Sequence, residues 1–136
     1  PLDELHYQYE FYCGKMAGKG SGEVSNALIG SRAYHPILRK CMDEWKLCRG
    51  VEGSSPMDVI RRTGPIFFTD QLVDYLTSPE GFHDRAAIFP YEAFFPFPSS
   101  YRDRFWQGEI SREEVNKEFV TPLSYAIHYW GTSWQK

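Results

Sequence analysis

The chain closes on its most demanding stretch, Ala126-Ile127-His128-Tyr129-Trp130-Gly131-Thr132-Ser133-Trp134, with only Gln135 and Lys136 after it. Chain ends are usually polar and frayed, yet here two indoles, a phenol, an imidazole and the Ser133 hydroxyl crowd around one glycine. Rings at this density have to be packed, so any fold open to this chain must tie its terminus down. Read as a strand, Tyr125 to Trp130 alternates, with Tyr125, Ile127 and Tyr129 on one face and Ala126, His128 and Trp130 on the other. Gly131 then breaks the strand and lets Thr132, Ser133 and Trp134 turn back as a loop. A neutral imidazole there can take a borderline divalent metal, and a hydroxyl with an indole N–H can donate to phosphate oxygens. An aromatic plug around a hydrogen-bonded core histidine uses the same residues equally well.

Upstream, proline and glycine divide the chain into short elements. Leu5 to Met16, with Tyr7, Tyr9, Phe11 and Tyr12, alternates as a strand or edge segment. Gly14, Gly18, Gly20 and Gly22 follow at a spacing that is neither a Walker loop nor a Rossmann fingerprint, and are expected as a mobile loop. Ala27-Leu28-Ile29 between Gly22 and Gly30 is expected as a buried strand, with Asn26 inside it in need of a hydrogen-bond partner. Pro36 after His35 suits the first position of a helix whose stripe is Ile37, Leu38, Cys41, Met42 and Trp45, with Trp45 expected in the core. Gly50 to Pro56 is a polar loop. Met57 to Arg62 is a short helical approach to Thr63-Gly64-Pro65, and Pro65 opens a second helical run through Phe68, Leu72 and Leu76. The free N–H groups at such a helix start can face an oxygen-rich ligand, or Thr63-Gly64 can be a plain cap.

Ala86 to Pro90 reads as a brief strand, and His83-Asp84 as a local pair without the surroundings of a catalytic dyad. Tyr91 to Pro98 is too proline-rich for a regular element, and its rings are expected to be buried as a hydrophobic clamp. Ser99 to Gly108 is expected as a loop in which Tyr101, Arg102, Arg104, Phe105 and Trp106 can stack on a sugar face or contact phosphate. Ser111-x-x-Glu114 is a capping box opening a short helix that ends near Phe119.

With 136 residues, 42% hydrophobic and 17% aromatic, the chain suits one modest globular domain over 1–136 rather than a disordered segment. A net charge of −3 without a Lys/Arg cluster argues against nucleic acid as a partner. Cys13, Cys41 and Cys48 are odd in number and lack CxxC spacing, so neither a disulfide framework nor a zinc site is expected. No run of about 18 apolar residues is present.

The terminal stretch AIHYWGTSW resembles the HxWxxSW signature of the family 32 glycosyltransferases, the group of the yeast-type initiating mannosyltransferases and many bacterial capsule and lipopolysaccharide sugar transferases. Pro1-Leu2-Asp3-Glu4-Leu5, Ser25-Asn26-Ala27-Leu28-Ile29-Gly30-Ser31 and Thr63-Gly64-Pro65 agree with that family in the same order, and Phe95-Pro96 matches its aromatic-Pro. The resemblance covers essentially the whole chain. It implies an α/β fold, the C-terminal portion of a GT-A nucleotide-diphospho-sugar transferase with a mixed sheet and flanking helices. In the family a segment like PLDEL follows closely on the Asp-x-Asp motif, so the resemblance implies that this chain starts after that motif and is inactive alone.

The activity implied is retaining, metal-dependent transfer of a hexosyl group from a UDP- or GDP-sugar to a glycan, lipid-linked or protein acceptor, as in polysaccharide biosynthesis. The cofactor implied is Mn²⁺ or Mg²⁺ held by the upstream Asp-x-Asp, with His128 as a further metal ligand. Asn26, Thr63, Gly64, Ser133 and Trp134 would bind the donor, and no residue can be assigned as a nucleophile. The resemblance places the protein in the cytoplasm or at the cytoplasmic membrane face if bacterial, with peripheral membrane association of the full protein, and in the Golgi lumen if eukaryotic. The residues taken alone also admit a non-catalytic carbohydrate-binding module whose exposed rings stack on sugars.

Overall fold

Asp3 and Glu4 decide how the chain begins: both lie in the first turn of a helix, α1 (Leu2–Gln8), where the helix dipole favours carboxylates. The expected strand from Leu5 is therefore delayed to β1 (Phe11–Lys15). Only Leu5 of α1 is buried and Tyr7 is 84% exposed, so the alternation of rings seen in the sequence does not mark a sheet face. The computed structural model describes residues 2–16, 22–47 and 55–131. Gly18, Gly20, Cys48 and most of the Gly50–Pro56 loop lie outside them, as do Thr132, Ser133 and Trp134. The chain forms two compact units, 1–13 with 23–88, and 14–22 with 89–136.

In the first unit the elements run α1, β1, β2 (Val24–Ser31), α2 (Pro36–Leu47), α3 (Pro56–Thr63), α4 (Pro65–Leu76) and β3 (Ala86–Phe89), although Gly14 and Lys15 of β1 and Phe89 of β3 are assigned to the second unit. The sheet is three-stranded in the order β2-β1-β3. Arg32 N–H donates to Glu10 C=O at 2.8 Å, which sets the end of β2 beside the start of β1, antiparallel. Glu10 N–H donates to Arg85 C=O at 2.8 Å, which sets the start of β3 beside the start of β1, parallel. The protein is thus α/β, with a small mixed sheet and flanking helices.

Phe11, Cys13, Val24, Ile37, Phe68, Leu72 and Tyr75 form the core of this unit. Prolines open α2, α3 and α4, where their fixed φ and missing N–H cost nothing. On α2 only Ile37 is fully buried; Leu38 and Cys41 pack against the core, while Met42 and Trp45 are 56% and 42% exposed. The core role expected for Trp45 is corrected accordingly: α2 meets α4 along a narrower face than its sequence stripe. The strand expected around Ala27-Leu28-Ile29 forms as β2, with Leu28 and Ile29 half-buried and Ile29 packed on the core, but Asn26 and Ala27 are exposed while Val24, Ser25 and Gly30 are buried. Gly30 is required there by close approach, because a Cβ would lie 1.9 Å from the Tyr12 ring.

The second unit holds α5 (Tyr91–Phe94), α6 (Arg102–Trp106) and α7 (Arg112–Phe119). One helical turn forms in the proline-rich Tyr91–Pro98 stretch, where no regular element was expected, and Ala93, Phe94, Phe95 and Phe97 are buried as the expected clamp. The expected loop from Ser99 is a 3-10 turn followed by α6. The capping box forms as read: Ser111 accepts from Glu114 N–H, and the Glu114 side chain accepts from Ser111 N–H. Phe97, Ile110 and Val115 centre the unit's core, with Tyr101, Phe105, Phe119, Ile127, Tyr129 and Trp130 packed around them. No helix among the described residues is long and apolar enough to cross a membrane.

Candidate functional site

Two of the segments that carry the resemblance meet in the first unit. Asn26 Nδ2, on exposed β2 backbone, donates to the Thr63 carbonyl at 3.0 Å. Thr63 ends α3 and Gly64 joins it to α4. The Gly64 N–H is spent on the carbonyls of Val59 and Ile60 at 3.2 and 3.1 Å, and the Thr63 hydroxyl donates to Val59 C=O at 3.1 Å. A side chain at Gly64 would press on the Ile60 backbone, with a Cβ only 2.6 Å from Ile60 Cα. Thr63-Gly64 is therefore a tight helix-to-helix joint, the cap alternative of the sequence reading. Asn26 satisfies its amide there without being buried.

His128 lies in the second unit, and the segment around it is not the expected strand. Tyr125 and Ala126 both send their N–H to Ala93 C=O at 2.7 and 3.2 Å, so no ladder runs along the stretch. Side chains replace it: Trp106 Nε1 donates to Tyr129 C=O at 3.1 Å, and Trp130 Nε1 donates to Phe97 C=O at 2.5 Å. Trp130 itself has φ 53°, in the left-handed region. The half-buried His128 ring stands edge-on to Trp130, centroids 4.6 Å apart, and to Phe95 at 5.9 Å. Burial among these rings holds its pKa below the ordinary histidine value. Its Nδ1 is buried and has no hydrogen-bond partner among the described residues.

Nothing among family models, curated proteins or solved structures matches this chain. An unpartnered nitrogen on a neutral imidazole fits one ligand of a divalent metal. Among the described residues, however, no group of three or more His, Cys, Asp or Glu is placed to hold a metal ion. Ser133 and Trp134 lie outside the described residues.

A polar cluster in the first unit escaped the sequence reading. Asp84, expected to pair with His83, instead accepts the Tyr75 hydroxyl and sits 3.4 Å from Nε2 of the fully buried His35. His83 is exposed and edge-on to Phe82. The signal available in the sequence was His35 immediately before Pro36, since the residue ahead of an N1 proline is the cap.

The second unit also carries a groove of about 560 Å³ lined by Tyr101, Arg104, Glu109, Glu114, Lys117 and Glu118. Trp106, on the same helix as Arg104, is 61% exposed with its N–H already bound.

Proposed function

We propose that this chain is part of a GT-A type glycosyltransferase that transfers a sugar from a UDP- or GDP-sugar to a glycan, lipid-linked or protein acceptor. The observation that carries the reading is His128: in the one segment most similar to family 32, burial favours the neutral imidazole, and its Nδ1 has no partner among the described residues. In the tautomer that leaves Nδ1 unprotonated, this nitrogen beside the Phe95 and Trp130 rings could serve as one ligand to a divalent cation, Mn²⁺ more readily than Mg²⁺.

When bound, the cation supplies charge stabilisation for the departing diphosphate. Hard cations take about six oxygen-rich ligands, and no Asp-x-Asp occurs in these 136 residues, so the reading draws the carboxylates from elsewhere in the protein. Ser133 and Trp134 would donate to the diphosphate oxygens as their charge grows. Trp130, with its N–H fixed on Phe97, would hold the His128 edge in place and keep water from it.

A metal titration of sugar-nucleotide hydrolysis by the protein carrying Asp-x-Asp tests this. His128→Ala should lose activity at limiting metal and partly recover at high metal. Ser133→Ala should lower turnover by about ten- to a hundredfold without moving the metal requirement. A His128→Ala protein that matches wild type at every metal concentration would make His128 a packing residue.

One observation favours a second reading, non-catalytic carbohydrate binding. An exposed indole with its N–H spoken for, and its ring set edge-on to Phe105 at 5.3 Å, is a pre-oriented surface for the apolar face of a pyranose. Sugar affinity that needs neither metal nor nucleotide and disappears in Trp106→Ala would favour it over the transferase.

A further inference from the structure

His35 caps α2 with a ring nitrogen. The Ile37 N–H donates to Nδ1 at 3.3 Å, and the His35 carbonyl accepts from Leu38 and Arg39 at 3.1 and 3.3 Å. The preceding Tyr34 has φ 59°, a conformation that costs a bulky L-residue energy and persists only where neighbouring contacts hold it. The ring is fully buried, 5.1 Å from the Phe11 ring centroid and 6.0 Å from that of Tyr75. Only an unprotonated Nδ1 can accept, so the ring's single proton is on Nε2. That N–H faces the Asp84 oxygen which already takes the Tyr75 hydroxyl. Nδ1 is thus committed to α2, while Nε2 lies 3.4 Å from Asp84 without a hydrogen bond among the described residues.

We propose that His35 is an acid-sensitive latch on α2. A proton taken from solvent at Nδ1 turns the acceptor of the cap into a donor, sets two N–H groups against each other and breaks the bond from Ile37. The first turn of α2, with Ile37 in the core beneath it, then loosens, and Tyr34 is free to leave its left-handed conformation.

The groups facing the ring pull both ways. Asp84, ahead of β3, and Glu10, ahead of β1, favour the proton, while Arg32 after β2 opposes it. Glu10 is shared with Arg32 at 3.6 Å and Arg85 at 3.9 Å, which blunts its pull. Tyr75 on α4 stays neutral, its hydroxyl pushed up to about 12 by burial and by Asp84. Burial outweighs the carboxylates, and the imidazole is held below its ordinary value. The latch therefore works on the acid side of the ordinary histidine range.

Amide hydrogen exchange between about pH 7.5 and about pH 5.5, corrected for the intrinsic rate, tests the proposal. Opening at Ile37, Leu38 and Arg39 should rise by up to about tenfold per pH unit, the linkage of one proton, while Phe68 and Leu72 in α4 stay protected. His35→Asn keeps a capping acceptor that does not titrate, and in it the pH dependence at α2 should vanish. Asp84→Asn should move the His35 imidazole titration, followed by NMR, to lower pH. Constant protection of Ile37 in wild type, unchanged dependence in His35→Asn, equal loss in α4, or an upward shift in Asp84→Asn would each overturn it.

Discussion

The Asn26 side chain donates to the Thr63 carbonyl at 3.0 Å, joining β2 to the end of α3 across 37 residues of sequence. Both residues are exposed, so water competes for the bond, and its net worth sits near the usual figure for a neutral hydrogen bond. Asn26→Ala should lower stability by about 1 kcal/mol in urea titration. Asn26→Asp should cost more than Ala, because a carboxylate cannot donate and would face a carbonyl oxygen. Equal stability of all three proteins would show that the contact contributes nothing.

Gly30 is the position in β2 least tolerant of a side chain, since its Cβ would fall 1.9 Å from Tyr12 Cζ and 2.2 Å from Cε1. The buried Tyr12 ring has no solvent to move into. Gly30→Ala should destabilise by about 1–3 kcal/mol, the range for overpacking, and shortening Tyr12 to Leu in the same chain should recover part of the loss. Thermal melts of the single and double variants measure this coupling directly.

Trp130 secures the terminal stretch in two ways, through Nε1 on the Phe97 carbonyl and through its ring against Phe95 and His128. Trp130→Phe keeps most of the ring and should cost about 1 kcal/mol for the lost bond. Trp130→Ala removes both and should cost about 3 kcal/mol, the lower end for a large ring because the residue is half-buried. A cost near zero for Ala in denaturant titration would mean that the terminus is held by something other than this side chain.

The buried His35 and the half-buried His128 both have pKa values lowered by burial. An unfolded histidine titrates near about 6.5 and binds its proton more readily than either folded one, so the stability each contributes is fully present above that pH. It is lost as pH falls below it towards the folded value. Stability should begin to decline as pH falls below about 6.5, before the carboxylates of Asp43, Asp58, Asp103 and Glu114, all held below their usual range by hydrogen bonds, begin to protonate. His128→Gln should flatten this decline without abolishing it, since His35 remains. An unchanged slope would mean that His128 does not titrate in this range.

Local chemistry alone announced α2, α4 and α7: a proline at the first helical position and a serine three residues ahead of a glutamate act within a single turn, whatever the rest of the chain does. It also marked β2 and β3, bounded by glycine and proline, and the chemistry-bearing residues of the terminal motif. The fate of Tyr125–Trp130 was not local, because alternation makes a strand only where a neighbouring edge offers a ladder. Here Ala93 and two indole N–H groups took that place. Burial was misread on Trp45 and Asn26 for the same reason: a stripe on a helix or strand says which face is apolar, not how much of it another element covers. The burial of His128 Nδ1 without a partner among the described residues, and the meeting of His35 with Asp84, depend on which surfaces come together after folding. A side chain's residue type sets what it can bond to, and only the tertiary structure decides whether a partner arrives.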